Sequence, residues 1–233
     1  MLASLKFRLP EALVRHCVRQ VLVGLAYLHS QRVVHRDIKP ANILVAMDGT
    51  MKLSDFGTCK TLSENSASTT KIVGTPIYMS PEAIRGKAIF ASDVWSLGVC
   101  VVEIASGRPP WAELDESILA NPFALAFHIG SNHHPAYPPT LSPDGKDFLD
   151  KCFVIDPAGR ATCEDLMSHP FVAEASAAEG VEEVDTYLQM RGASVQSADI
   201  ATLNRQMAMF AGAGGLFDGD RPMTLVNQPG DGE

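Results

Sequence analysis

Between Pro10 and Ser30 the apolar residues Leu13, Val14, Cys17, Val18, Val21, Leu22, Leu25 and Leu28 recur at helical spacing, and three short apolar runs follow at once. That order commits the chain to one long helix laid against a small strand group, because an apolar stripe of this length has to be covered. The runs are Val33-Val34, Ile43-Leu44-Val45 and Met51-Lys52-Leu53, and the Asp48-Gly49 pair between the last two is a hairpin signal. Pro10 suits the first turn of the helix. Downstream, Ser92-Asp93 reads as the cap of a buried helix from Val94 to Ser106, stopped by Gly107. Further helices are expected at about 122–129, from Pro143 to Phe153 with Ser142 as cap, and at 163–168 with Thr162 as cap and Asp165 completing a capping box. The fold class is therefore α+β, predominantly α-helical, around one strand group.

Residues 1–172 carry this pattern and are expected to form the domain. Residues 173–233 turn to Ala, Glu, Gly and Met and read as an acidic extension, with amphipathic helices at Asp185 to Met190 and Asp199 to Phe210 and disorder from Gly212 onward. The charge follows the same division. Of the formal net charge of -8, residues 174–233 hold -7, with three Lys/Arg against ten Asp/Glu. The acidity thus belongs to the extension, and no basic stripe interleaved with aromatics points to nucleic acid.

The five cysteines are scattered and odd in number, with no closely spaced pair, so they read as reduced thiols of a cytoplasmic protein. Cys59 is expected to be a small half-buried side chain. Met1 to Leu9 lacks the apolar core of a secretory signal, and the apolar run from Val94 to Ala105 is too short to span a bilayer, which takes about 20 residues. His128, His133 and His134 flank a turn and are expected to be solvated loop histidines, with no metal.

Two acids sit on loops beside the strand runs. His35-Arg36-Asp37-Ile38-Lys39-Pro40-Ala41-Asn42 and Asp55-Phe56-Gly57 bring together a carboxylate that can accept a proton, a nearby cation, a neutral oxygen at Asn42 and a second carboxylate at Asp55. Those are the kinds of group that phosphoryl transfer needs as base, charge neutraliser and ligands for hard Mg²⁺. The stretch from Gly57 to Pro81, rich in Ser and Thr and without periodicity, is expected to be a long functional loop.

The two motifs, together with Gly74-Thr75-Pro76 leading to Ser80-Pro81-Glu82, Ser92-Asp93-Val94-Trp95-Ser96-Leu97-Gly98 and Asp156-Pro157-Ala158-Gly159-Arg160, occur in one order. On them the chain resembles the C-terminal lobe of eukaryotic Ser/Thr protein kinases over residues 1–172. Gly74-Thr75-Pro76-Ile77-Tyr78-Met79-Ser80-Pro81-Glu82 and Gly107-Arg108-Pro109-Pro110-Trp111 make it most similar to a MAP kinase kinase kinase.

The resemblance implies ATP and Mg²⁺ as cofactors and a protein Ser or Thr as substrate, such as that of a MAP kinase kinase, with an upstream kinase or activator. It implies Asp37 as base, Lys39 and Thr75 beside it, and Asn42 and Asp55 on the metal. Leu44 would lie under adenine and Phe56 would stack near His35. Asp93 would hold the backbone of His35 and Arg36, and Glu82 would pair with Arg160. Ser66, Ser68, Thr69 and Thr70 would be candidate phosphate acceptors, with Arg36 and Lys60 receiving the phosphate. Set against a complete kinase, Met1 to Phe7 would follow the interlobe hinge. The N-terminal lobe, its Gly-rich loop and its lysine would then be missing, leaving Leu44 and Phe56 facing water. A catalytically impaired, protein-binding scaffold is the alternative expectation.

Overall fold

A computed structural model describes residues 8–46, 49–62 and 72–173. The chain divides into units Met1–Asp185 and Thr186–Glu233, and all described residues fall in the first. The expected helices near residues 185 and 199, the segment Met1 to Phe7, and the four candidate phosphate acceptors lie outside the described residues.

Helix α1 spans Glu11–Ser30 and buries Leu13, Val14, Cys17, Val18, Val21, Leu22, Leu25 and Leu28, the stripe read from the sequence. Pro10 sits at the cap, one residue before the first turn. Glu11 accepts from the Arg15 guanidinium at 2.9 Å and from the Ser142 backbone N–H at 2.8 Å, which ties the start of α1 to a distant loop.

The strand group divides into two antiparallel ladders instead of forming one cluster. Strand β1 (Val33–Val34) pairs with β4 (Lys60–Thr61), while β2 (Ile43–Val45) pairs with β3 (Met51–Leu53). Gly49 closes the second hairpin at φ 80°, a conformation glycine adopts without strain. The first ladder could not be read from the sequence, because Lys60-Thr61 carries no apolar signal and its register partners lie 26 and 28 residues upstream.

Helix α2 is a short turn, Pro81–Ile84, capped by the Ser80 hydroxyl. Helix α3 runs Phe90–Ser106, starting four residues before the expected Val94. Ser92 therefore does not cap from outside. It sits in the first turn, and its hydroxyl accepts from the Ile89 N–H at 3.1 Å. After α4 (Glu116–Leu119) and α5 (Pro122–Gly130), α6 (Pro143–Cys152) is capped by Ser142. Helix α7 (Cys163–Met167) has the Thr162 and Asp165 capping box, and α8 is Pro170–Ala173.

The centre is aliphatic and aromatic, with Leu22, Leu25, Trp95, Leu97, Phe148, Leu149, Leu166 and Phe171 fully buried. Helix α3 meets the end of α6 at Gly98, where an added Cβ would lie 2.8 Å from the Cβ of Cys152. Only a residue without a side chain permits that approach. The histidines of the α5 region are stacked rather than merely solvated. The His128 ring lies 4.2 Å from that of His133 and edge-on to Trp111, and His134 stacks on Phe153. No group of His, Cys, Asp or Glu among the described residues could hold a metal ion by itself.

Candidate active site

The site is built where β1 ends and the chain turns sharply through His35, Arg36 and Asp37. Arg36 has φ 69°, in the left-handed region that costs energy for a residue with a side chain. Asp93 on α3 holds that turn. Its Oδ2 accepts from the His35 N–H and its Oδ1 from the Arg36 N–H, both at 2.9 Å. A buried carboxylate taking two backbone donors thus offsets the strain of the loop.

From this base Asp37 projects into a tight polar cluster. Lys39 Nζ lies 2.7 Å from its Oδ2. The Thr75 hydroxyl donates to Oδ1 at 2.7 Å, the Thr75 N–H donates to the same oxygen at 3.0 Å, and Lys39 also reaches the Thr75 oxygen at 2.9 Å. Asn42 donates through Nδ2 to Oδ2 at 3.0 Å and to the Asp37 carbonyl at 2.8 Å. Burial pushes the Asp37 carboxyl up, but the Lys39 ammonium and the Thr75 hydroxyl outweigh it and hold the group below its ordinary value. Asp37 is therefore an anion at neutral pH. The close approach of Thr75 needs Gly74, at φ 119°, whose missing Cβ would collide with the Arg36 carbonyl.

Asp55 lies at the other edge of the site. It is exposed, with φ 62°, and opens a single 3₁₀ turn at Phe56–Thr58. No hydrogen bond joins it to Asp37. What brings it near is Ser54, whose N–H and hydroxyl both donate to the Asn42 carbonyl, at 2.9 and 3.1 Å. Phe56 lies 5.5 Å from the His35 ring, and His35 Nε2 is 3.1 Å from the Ser54 carbonyl. Leu44 and Phe56 are half-buried, so each keeps part of its surface in water. Because the Asn42 Nδ2 is spent on Asp37, its side-chain Oδ1 is left as an acceptor, and with the Asp55 carboxylate it could offer the kind of oxygen ligands that Mg²⁺ favours.

Glu82 and Arg160 meet at a third point. Arg160 Nη1 lies 2.7 Å from Oε1 and Nη2 3.2 Å from Oε2, a bidentate pair. Burial raises the Glu82 carboxyl, but Arg160 more than reverses this, so it too lies below the ordinary range. Lys60, read as a phosphate receiver with Arg36, is half-buried on β4. The Cys59 thiol is half-buried as expected, and burial pushes it up to about 12, so it stays protonated.

Several contacts around the site were not read from the sequence. Thr58 donates to the His35 carbonyl at 2.9 Å and its own carbonyl accepts from the Arg36 side chain, pinning the two motifs together. The Ser92 hydroxyl donates to Glu82 at 2.8 Å, and the Tyr78 hydroxyl donates to Glu103 at 2.7 Å. Burial pushes the Glu103 carboxyl up despite that bond. His29 Nε2 lies 2.9 Å from Asp93 Oδ2. Its sequence signal is a titratable residue in phase with the apolar face of α1, after Leu22 and Leu25. Thr58 and Ser92 carry no such signal.

With that geometry in hand, the chain belongs to the protein kinase domain family, whose profile matches residues 2–172. Among curated relatives it is 43% identical over 169 residues to mitogen-activated protein kinase kinase kinase 3 of Arabidopsis thaliana, covering 70% of this chain and 25% of the relative. It is 40% identical over 191 residues to MAP3K epsilon protein kinase 1 of Brassica napus, covering 81% and 14%. Over 207 residues it is 40% identical to cytokinesis protein sepH of Aspergillus niger, covering 85% and 15%. The matched region thus spans a quarter or less of the length of these relatives. No helix among the described residues is long and apolar enough to cross a membrane.

Proposed function

We propose that this chain is the catalytic lobe of a cytoplasmic protein Ser/Thr kinase of the MAP kinase kinase kinase type, formed by residues 1–172 and followed by an extension at 173–233. Its reaction is transfer of the ATP γ-phosphate to a Ser or Thr hydroxyl of a protein substrate such as a MAP kinase kinase. The observation that carries this reading is the Asp37 carboxylate, ionised and oriented by Lys39, Thr75 and Asn42 at 2.7 to 3.0 Å.

In the reaction Asp37 accepts the proton of the substrate hydroxyl, and its low basicity is matched to a proton that leaves only as the new O–P bond forms. Lys39, held between Asp37 and Thr75, neutralises charge on the transferring group. Thr75 keeps the acid and the ammonium in register. Asn42 and Asp55 would hold Mg²⁺, which when bound neutralises the phosphate oxygens of ATP. Leu44 would lie under the adenine of ATP. Phosphorylation by an upstream kinase at Ser66, Ser68, Thr69 or Thr70 would add a group that Arg36 and Lys60 can receive.

The test is transfer of labelled phosphate to a protein substrate alongside calorimetric ATP binding. Asp37→Asn is expected to retain Mg²⁺-dependent binding and lose transfer by about 10²- to 10⁴-fold, whereas Asp55→Asn loses the Mg²⁺-dependent part of binding. Unchanged transfer in Asp37→Asn overturns the assignment. A second reading, a protein-binding scaffold, draws support from the aromatic pair Phe123 and Phe127, which are 87% and 79% exposed one turn apart on α5. Neither nucleotide binding nor transfer would favour it. The transcript upstream of Met1 bears on the same choice, since an in-frame Gly-rich loop and strand lysine favour the enzyme.

A further inference from the structure

Asp93 holds the loop and is itself met by a histidine of α1. The Oδ2 that accepts from the His35 N–H also faces His29 Nε2 at 2.9 Å. The other ring nitrogen of His29, Nδ1, lies 3.6 Å from the sulfur of Cys163, the first residue of α7. The rest of the ring packs on Phe90, at 4.9 Å between centroids. Three elements, α1, α3 and α7, therefore converge on one imidazole, and the charged or titratable groups named here as facing it are Asp93 and Cys163.

The proton assignment follows from the neighbours. The Asp93 carboxylate already accepts two backbone N–H bonds, so it is an acceptor toward His29 as well, and Nε2 must carry a proton. Cys163 is fully buried, and burial, together with the charges of Asp93 and Glu164, pushes its thiol well above the usual range. It is a thiol and a donor, never a thiolate here. An S–H aimed at Nδ1 requires a lone pair there, which is the neutral ring with its proton on Nε2.

We infer that Cys163 is a positioning residue: its thiol donates to His29 Nδ1, selects the tautomer that donates to Asp93, and so steadies the backbone of His35 and Arg36 that aims Asp37. A thiol 126 residues from Asp37 in sequence thereby acts on the site through two intervening side chains. Its value to catalysis rests on the proposed transfer at Asp37, whereas the readouts below need no transfer and so fail independently of that reading.

The experiment is long-range ¹⁵N imidazole spectroscopy of His29, with amide exchange at His35 and Arg36, on the full chain and on Cys163→Val and Cys163→Ser. Valine matches the thiol in size without a donor, and serine restores one. The native chain and Cys163→Ser are expected to show the neutral ring protonated at Nε2. Cys163→Val is expected to show a mixture of ring states and exchange at His35 and Arg36 about fivefold faster, the scale of one weak hydrogen bond. The Ser142 N–H, bonded to Glu11 away from this place, should keep its rate and so separate a local change from general loosening. A native ring protonated at Nδ1 or at both nitrogens overturns the inference even if no variant folds. A Cys163→Val ring and exchange rates identical to the native chain also overturn it.

Discussion

Glu82 and Asp37 are each surrounded by a cation and a hydroxyl, yet the two sites are opposite in character. Glu82 has Arg160 and Ser92, and Asp37 has Lys39 and Thr75. The Arg160 side chain is 0% exposed, and its remaining donors reach the carbonyls of Ala91 and Val154. The Lys39 side chain is 23% exposed and shares its ammonium between two oxygens. A planar, buried, bidentate fork makes a permanent joint, whereas a point charge at the edge of water can exchange one oxygen for another. The first arrangement suits anchoring the segment after Thr75, and the second suits a reacting centre.

The largest expected effect comes from stripping the buried joint. Arg160→Ala leaves Glu82 buried without its cation and should cost about 3–5 kcal/mol in urea unfolding, unless the whole fold fails first. Ser92→Ala removes a hydrogen bond to a charged group and should cost about 1.5–3 kcal/mol by the same measurement.

A pH series sharpens the contrast further. Both carboxyls lie below their ordinary values in the folded chain, so each contributes stability that is fully present above those values, 4.5 for Glu82 and 3.8 for Asp37, and is lost as the pH falls through the lower folded values. Glu82→Gln and Asp37→Asn should each flatten part of that acid loss, read from urea midpoints between about pH 6 and pH 2. The smallest effect on stability belongs to Lys39→Met, about 1 kcal/mol or less, because the pair is partly hydrated. Transfer should nevertheless fall sharply. A Lys39→Met stability loss equal to that of Arg160→Ala would break the comparison.

The legible part of the molecule was the part written in local pattern. The stripe of α1, the Ser142 and Thr162 caps and the hairpin joining Ile43–Val45 to Met51–Leu53 each depend on residues a few positions apart, and each stands where its spacing placed it. The start of α3 was misplaced because Ser92 is as good a hydroxyl inside the first turn as before it, and the choice depends on Ile89 offering its N–H. The β1–β4 ladder was invisible for want of an apolar signal in Lys60-Thr61. The edge-on contact of His128 with Trp111 and the stacking of His134 on Phe153 join rings that no local pattern connects.

The sequence by itself determined the kinds of group present and their order: base, cation, amide and carboxylate on loops beside short strands, with a buried helix carrying Asp93. Only the tertiary structure decided their state. It sealed the cation beside Glu82, Arg160, and left the cation beside Asp37, Lys39, partly hydrated, though both carboxylates are buried beside a cation and a hydroxyl. It also put His29 and Cys163 behind Asp93. The reason is that burial and hydrogen bonding between residues 58 to 134 positions apart depend on how α1, α3 and α7 pack, and no local propensity encodes that packing.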